Sequence, residues 1–236
     1  MRSLLSGRVI AFLAVTLLAL TAAAQEKPRY DMGKMQMVFL RRAPEWRPTS
    51  GSQAERISRE QREYSKKLIE TGRCALAGTV KGDGDLREIL VFKTESLEEI
   101  EALTKSFPAV QAGMLKAEVL SWYAARNFIK TAQTPLSSSD YIFGLLVRGP
   151  QWTATQTDET QKIQEGHMAN INRLAGMGKL VLAGPFYEGG ERRGVFIFKV
   201  GTIDEAQALT DTDPAVIAGR LKIELYRWSV PKGILP

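Results

Sequence analysis

Apolar residues along this chain follow two periods, and the periods alternate in a fixed order. Tyr141–Val147 (YIFGLLV) is a short β-prone run closed by Gly149-Pro150, which predicts a strand and its terminator. From Asp158 to Gly178, Ile163, Ile171 and Leu174 fall at helical spacing, with His167 on the same stripe. Asp158 is placed to cap that helix, and Gly176 and Gly178 stand where it would stop. Leu180–Ala183 predicts a second strand broken by Gly184-Pro185. A turn follows at Glu188 to Glu191, then a third strand at Gly194–Val200. Thr202 to Leu209 predicts a second helix, with Thr202 and Glu205 spaced as a capping box. Asp213-Pro214 opens a brief helical turn ending at Gly219, and Leu221–Ser229 alternates apolar and polar as a last strand.

The whole pattern is written twice. Shifted by 106 positions, residues 35–122 fall on 141–228 without a gap. Pro44 and Trp46 land on Pro150 and Trp152, Leu76-Ala77-Gly78 on Leu182-Ala183-Gly184, and Trp122 on Trp228. Roughly 27 of about 88 pairs are identical, far above chance for one register. The order βαββαβ is that of a ferredoxin-like split βαβ unit, so the fold class is α+β with two tandem units. In such a unit two helices cover one face of the sheet and leave the other open. A second copy on the same chain is the natural cover, which predicts sheets packed face to face. The result is an intrachain pseudo-dimer with a barrel-like core and its helices outside. Units are expected at 35–123 and 141–229, with a polar linker at 124–140 and a loose stretch at 25–34.

The first residues change the picture of where the chain works. Arg2 and Arg8, the apolar run Val9 to Leu20 and the small residues Ala22-Ala23-Ala24 have the layout of a signal peptide over 1–24. The run is short of the roughly 20 residues that span a bilayer, so the expectation is export to a periplasm or beyond, without an anchor. Charge adds little: 32 Lys+Arg stand against 26 Asp+Glu, a net +6, with the signs interspersed and no basic aromatic motif. Nucleic acid is not an expected partner. Cys74, the single cysteine, excludes an intrachain disulfide and aligns with Leu180, as a buried hydrophobe would. One Cys and one His cannot make a structural zinc site. No phosphate-binding glycine loop, dinucleotide fingerprint or serine elbow occurs.

His167 is the only histidine. It faces the sheet, where it is either a core histidine bonded to backbone or a proton-transfer group in a wet cavity; Gln61 holds the same inward place in the other copy. Asp213 reads as a helix cap. The first copy nevertheless builds that turn with Phe107-Pro108 and no carboxylate, so Asp213 is free to orient an imidazole. Arg148 ends the first strand of its unit as Arg42 does. It is a substrate-binding candidate for a carboxylate or phosphate, or else a stack on the nearby Trp. Glu188 is a weaker acid candidate.

With those residues, the second copy resembles the YCII-related proteins, small units of the dimeric α/β-barrel class. The resemblance runs through EGHMANINRLAGMGKL, LVLAGPF and TDTDPAVIAG to Trp228. It implies a ferredoxin-like fold paired into a barrel and a His–Asp dyad in a cleft, by position His167 and Asp213. The first copy, with Gln61, Gly78-Thr79 and Phe107-Pro108, matches only in outline and reads as a degenerate half. The expected function is action on, or binding of, a small molecule by general acid/base chemistry of isomerase or lyase type. The competing expectation is a non-catalytic ligand-binding or structural protein of the cell envelope. No cofactor or metal is expected; haem on the lone histidine, as in other dimeric α/β barrels, is a third reading. Partners reduce to a small-molecule ligand and to further copies of the chain.

Overall fold

Alternating burial along the strands dictates the architecture of this protein, described here from a computed structural model covering residues 30–47, 50–132, 137–188 and 190–236. The expected signal segment at 1–24 lies outside the described residues. The first half runs β1 (Met32–Arg42), α1 (Gly51–Glu70), β2 (Leu76–Lys81), β3 (Leu86–Phe92), α2 (Leu97–Thr104), α3 (Pro108–Gln111) and β4 (Leu115–Ala125). The second runs β5 (Ser138–Arg148), α4 (Asp158–Gly176), β6 (Leu180–Pro185), β7 (Arg192–Phe198), α5 (Ile203–Thr210), α6 (Pro214–Ile217) and β8 (Leu221–Pro231). In β1, Met35, Met37 and Phe39 point into a core that also takes Phe143, Leu145 and Trp228 from the other half. Val38 and Leu40, on the opposite face, pack under α1 to α3. Ile142 and Leu146 do the same under α4 and α5.

Strand registers repeat with the offset of the sequence. Gln36 faces Phe92, and Ile142 faces Phe198. Met32 faces Ala125, and Ser138 faces Pro231. The pairing slips between Leu40 and Arg41, and again between Leu146 and Val147.

The two expected sheets are in fact one, in the order β4-β1-β3-β2-β8-β5-β7-β6. Each half alone would leave edge strands with unpaired backbone groups. β2 and β8 remove two of those edges by pairing Val80 with Trp228 and its neighbours. The outer edges meet through one bridge, Trp122 to Phe186, and a hydrogen bond from Tyr187 N to Ser121 O at 2.9 Å. An α+β, nearly closed barrel results. Two glycines let the seams close. A Cβ on Gly78 would lie 2.3 Å from Trp228 Nε1, and one on Gly184 would lie 2.1 Å from Tyr123 O.

Local details depart from the sequence pattern. Residues 32–34, expected to be loose, pair with 125–123 in β4, and β4 runs into the start of the expected linker. The cap of α4 is Thr157 rather than Asp158. Its hydroxyl accepts from Thr160 N at 3.2 Å, while Thr157 N donates to Thr160 Oγ1 at 2.8 Å. Asp158 sits one residue on, where its charge suits the positive end of the helix. Thr202 does cap α5, but Glu205 accepts from Lys179 Nζ and Gly201 N instead of closing the box. Cys74 lies just before β2 and is buried, and desolvation pushes its thiol up to about 12.

Candidate functional site

α4 carries His167 on its inward stripe, with Leu174 two turns further on. Asp213, the N-cap of α6, is wholly buried. The two elements approach closely because residue 166 is glycine: a Cβ there would lie 2.9 Å from Pro214 Cγ. That approach puts His167 Nδ1 at 2.9 and 2.8 Å from the two carboxylate oxygens of Asp213. The same carboxylate caps the turn, Oδ1 accepting from Ala215 N at 2.9 Å. Both sequence readings of Asp213 therefore describe one side chain. Asn170, one turn along α4, brings Nδ2 to 3.5 Å from Asp213 Oδ2. Its own oxygen accepts from Arg173 at 2.7 Å and from Thr212 at 3.2 Å.

A carboxylate has only acceptor atoms, so the hydrogen of the contact sits on Nδ1 of the imidazole. In a neutral ring Nε2 is then the basic nitrogen, and no described residue hydrogen-bonds it. The ring lies nearly parallel to Phe196, 16° apart at 5.8 Å, which fixes its plane. His167 forms part of the wall of a cavity of about 720 Å³ between α4, β6, β7 and the loop after Trp152. This size is in the range of small-molecule sites, roughly 300–1,000 Å³.

Arg148 is not in that wall. Its guanidinium stacks on Trp152 at 3.8 Å from the ring centre, the alternative that the sequence had left open. Arg193 and Arg220 line the cavity instead. Glu188 is also elsewhere: Oε1 accepts from Ser121 N at 2.7 Å across the barrel seam. Sequence reasoning missed Asn170, which the spacing of three from His167 on one helix would have flagged. It also missed Gly166 and Gly194, glycines that stand opposite Glu60 and Glu88 of the first half. A glycine facing a glutamate in an aligned copy signals space that only one copy needs.

The fold, an α+β and nearly closed barrel, is similar to that of solved chlorite dismutases. A putative chlorite dismutase superposes with a TM-score of 0.54 at 10% identity, covering 84% of this chain and 94% of that one. A mutant chlorite dismutase from Candidatus Nitrospira defluvii gives 0.53 at 12% identity, covering 86% and 92%. A heme-binding protein from Thermus thermophilus gives 0.49 at 13% identity, covering 86% and 93%. No curated protein sequence matches. Within the barrel, residues 147–229 match the YCII-related domain, so the half that holds His167 and Asp213 is YCII-like.

Proposed function

We propose that this protein is an exported small-molecule enzyme in which His167 is the general base and acid and Asp213 its positioning partner. The reading rests on one observation above all: both oxygens of a buried carboxylate hold Nδ1 of the only histidine, and that histidine borders the cavity. Nε2 takes a proton from a substrate carbon and returns it to a neighbouring atom in an isomerisation, or passes it to the group that departs from the adjacent carbon in an elimination. Asp213 keeps the basic nitrogen outward and balances the imidazolium that forms. We take the chain as a tandem duplication whose first unit (35–123) completes the barrel and whose second (141–229) works; the shared offset of sequence, register and bulge supports this. Export rests on residues 1–24 alone.

A second reading has its own support. A histidine whose other ring nitrogen donates to a carboxylate is also the usual arrangement of a metal ligand. Among the described residues no cluster of three or more His, Cys, Asp or Glu could hold a bare ion. Such a cofactor would have to bring its other ligands, as haem does; His167 would hold it, and it would supply redox chemistry to the cavity. Two measurements on the purified protein separate the readings. A metabolite panel followed by proton exchange into deuterated water should give turnover lost in His167→Ala. A hemin titration should give no Soret shift that depends on His167; one that does would replace the acid/base reading.

A further inference from the structure

The walls of the cavity carry a one-sided charge. Arg193, from β7, and Arg220, from the turn between α6 and β8, both contribute to it, and among the described residues that line it there is no Asp, Glu or Lys. Asp213 lies behind His167 with no exposed surface. Even counted in full, it leaves two guanidiniums against one carboxylate, so the site is positive whichever state the imidazole takes. Arg220 is held in place by Thr153 O at 3.0 Å, which positions the guanidinium without neutralising it. Arg193 lies over Trp152, 5.3 Å from the ring centre, and shares that ring with Arg148. Burial and the neighbouring Arg148 charge both press on Arg193, lowering its pKa. The remaining wall is apolar, with Leu146, Ile163, Ile171, Val195 and Phe196 among its members.

We infer that the cavity takes a small organic acid, its carboxylate on Arg193 and Arg220 and its apolar body against Ile163, Ile171 and Phe196. Cationic and zwitterionic amines are excluded by the same charges. The first half shows the specialisation. Arg193 has a counterpart in Arg87, and both donate to a carbonyl of the preceding turn, Arg87 to Gly82 O at 2.7 Å and Arg193 to Gly190 O at 3.5 Å, but Arg220 is replaced by Met114. The pair is therefore a property of the half that has the dyad. A carboxylate held at one end of a planar or aliphatic body would leave the carbons beside it to face Nε2. This deepens the acid/base proposal and rests on it for the chemistry, though not for the binding.

The test is calorimetric titration of the full-length exported protein with matched sets of an aromatic carboxylate, its primary amide and its amine, repeated with aliphatic carboxylates. We expect the carboxylates to bind at least tenfold more tightly than their amides, and the amines not to bind. Arg193→Gln and Arg220→Gln should each weaken carboxylates roughly tenfold to a hundredfold while leaving amides unchanged, as expected for a charge-assisted bond. Arg220→Lys keeps the charge and should recover part of the loss, which separates recognition from damage to the fold. No preference for carboxylate over amide, or a preference that both glutamine variants retain, overturns the inference. His167→Gln distinguishes the two proposals. Carboxylates that bind wild type and this variant alike, without turnover in either, sink the dyad and leave the anion site standing. Turnover that needs His167 yet ignores substrate charge does the reverse.

Discussion

Gln61 and His167 occupy the same place in the two halves, and their surroundings show what separates a closed site from an open one. Gln61 Nε2 donates to Ser65 Oγ at 3.1 Å and to Glu88 Oε2 at 3.0 Å, and its oxygen accepts from Ala109 N at 3.3 Å. That last bond caps the short helix α3. In the second half the matching amide, Ala215 N, is capped by Asp213. One glutamine thus meets all its needs from within the protein and does the work that Asp213 does elsewhere. Glu88 fills the space that Gly194 leaves empty. Gln61, Ser65 and Glu88 bond one another around Gln61, whereas in the second half an imidazole nitrogen borders the cavity with no described partner. A buried polar network that is fully satisfied specifies structure. One that leaves a single oriented group over is equipped to act on something from outside.

The strongest way to break the comparison is to exchange the two residues. His167→Gln gives the second pocket the residue of the first, and turnover should fall by about 10²–10⁴-fold, the usual worth of a positioned acid/base group. The reverse change, Gln61→His, should create no activity, since Phe107 offers no carboxylate and Glu88 still fills the space. Measurable turnover in Gln61→His on a His167→Gln background would show that the halves are more alike than their hydrogen bonds say.

The next effect is a pH dependence that belongs to the first half alone. Burial is the main reason that the Glu88 carboxyl is raised to about 7, against an ordinary value of 4.5, with bonds from Ser65 and Gln61 opposing it in part. An acid with a raised folded-state pKa binds its proton more tightly when folded. Its stabilisation is then complete below about pH 4.5 and is lost as the pH climbs through about 7. At 1.36 kcal/mol per unit, that is on the order of 3 kcal/mol at most. Chemical denaturation of Glu88→Gln and wild type across this window should show the wild type losing stability with rising pH relative to the variant. Parallel curves would mean that Glu88 is better solvated than its burial implies.

A smaller cost sharpens the same contrast from the other side. Gly166→Ala should destabilise by about 1–3 kcal/mol, the cost of an overpacked contact, and should lower activity by pushing Pro214 and with it Asp213 away from His167. Glu60→Ala, the aligned position of the first half, lies on an exposed face of α1 and should cost under about 0.5 kcal/mol. Equal costs at the two sites would remove the role given to the close approach of α4 and α6.

Much of this was legible in the residues. The element order, the two-fold writing of the chain and the pair His167 and Asp213 all follow from apolar periodicity and an alignment of the chain with itself. Such features are local, and each helix or strand carries its own signal. Arg148 kept two readings in the sequence, an anion site or a stack on the nearby Trp, because sequence alone does not say how close Trp152 lies. Arg193 and Arg220 went unseen because their convergence depends on how β7 and the α6–β8 turn bend toward α4. Joining of the sheets through β2 and β8 was hidden for the same reason, since backbone groups at an edge have no side-chain signature. Asp158 lost the cap to Thr157 by one residue, the usual margin at a helix end.

The smallest predicted difference concerns the two tryptophans that lock the seams, Trp122 against Gly184 and Trp228 against Gly78. Both rings are wholly buried at aligned positions, and each reaches from the last strand of one half onto a glycine of the other. Their indole hydrogens fare differently. Trp122 Nε1 donates to Gly184 O at 3.1 Å, while Trp228 Nε1 has no partner among the described residues. β2 and β8 pair as regular strands from Thr79 to Lys81, whereas β4 meets the other half through the single bridge of Trp122 to Phe186, beside the carbonyl that takes the indole. Trp122→Phe therefore loses a hydrogen bond and strands a carbonyl, costing about 1 kcal/mol beyond the loss of ring size. Trp228→Phe loses the same ring volume but also removes an unsatisfied buried donor, which offsets part of the cavity cost. Trp122→Phe should thus unfold at a lower denaturant concentration than Trp228→Phe, by a margin near 1 kcal/mol in unfolding free energy. The opposite order would mean that the β2–β8 seam, for all its regular pairing, depends on its indole more than the seam closed by a single bridge.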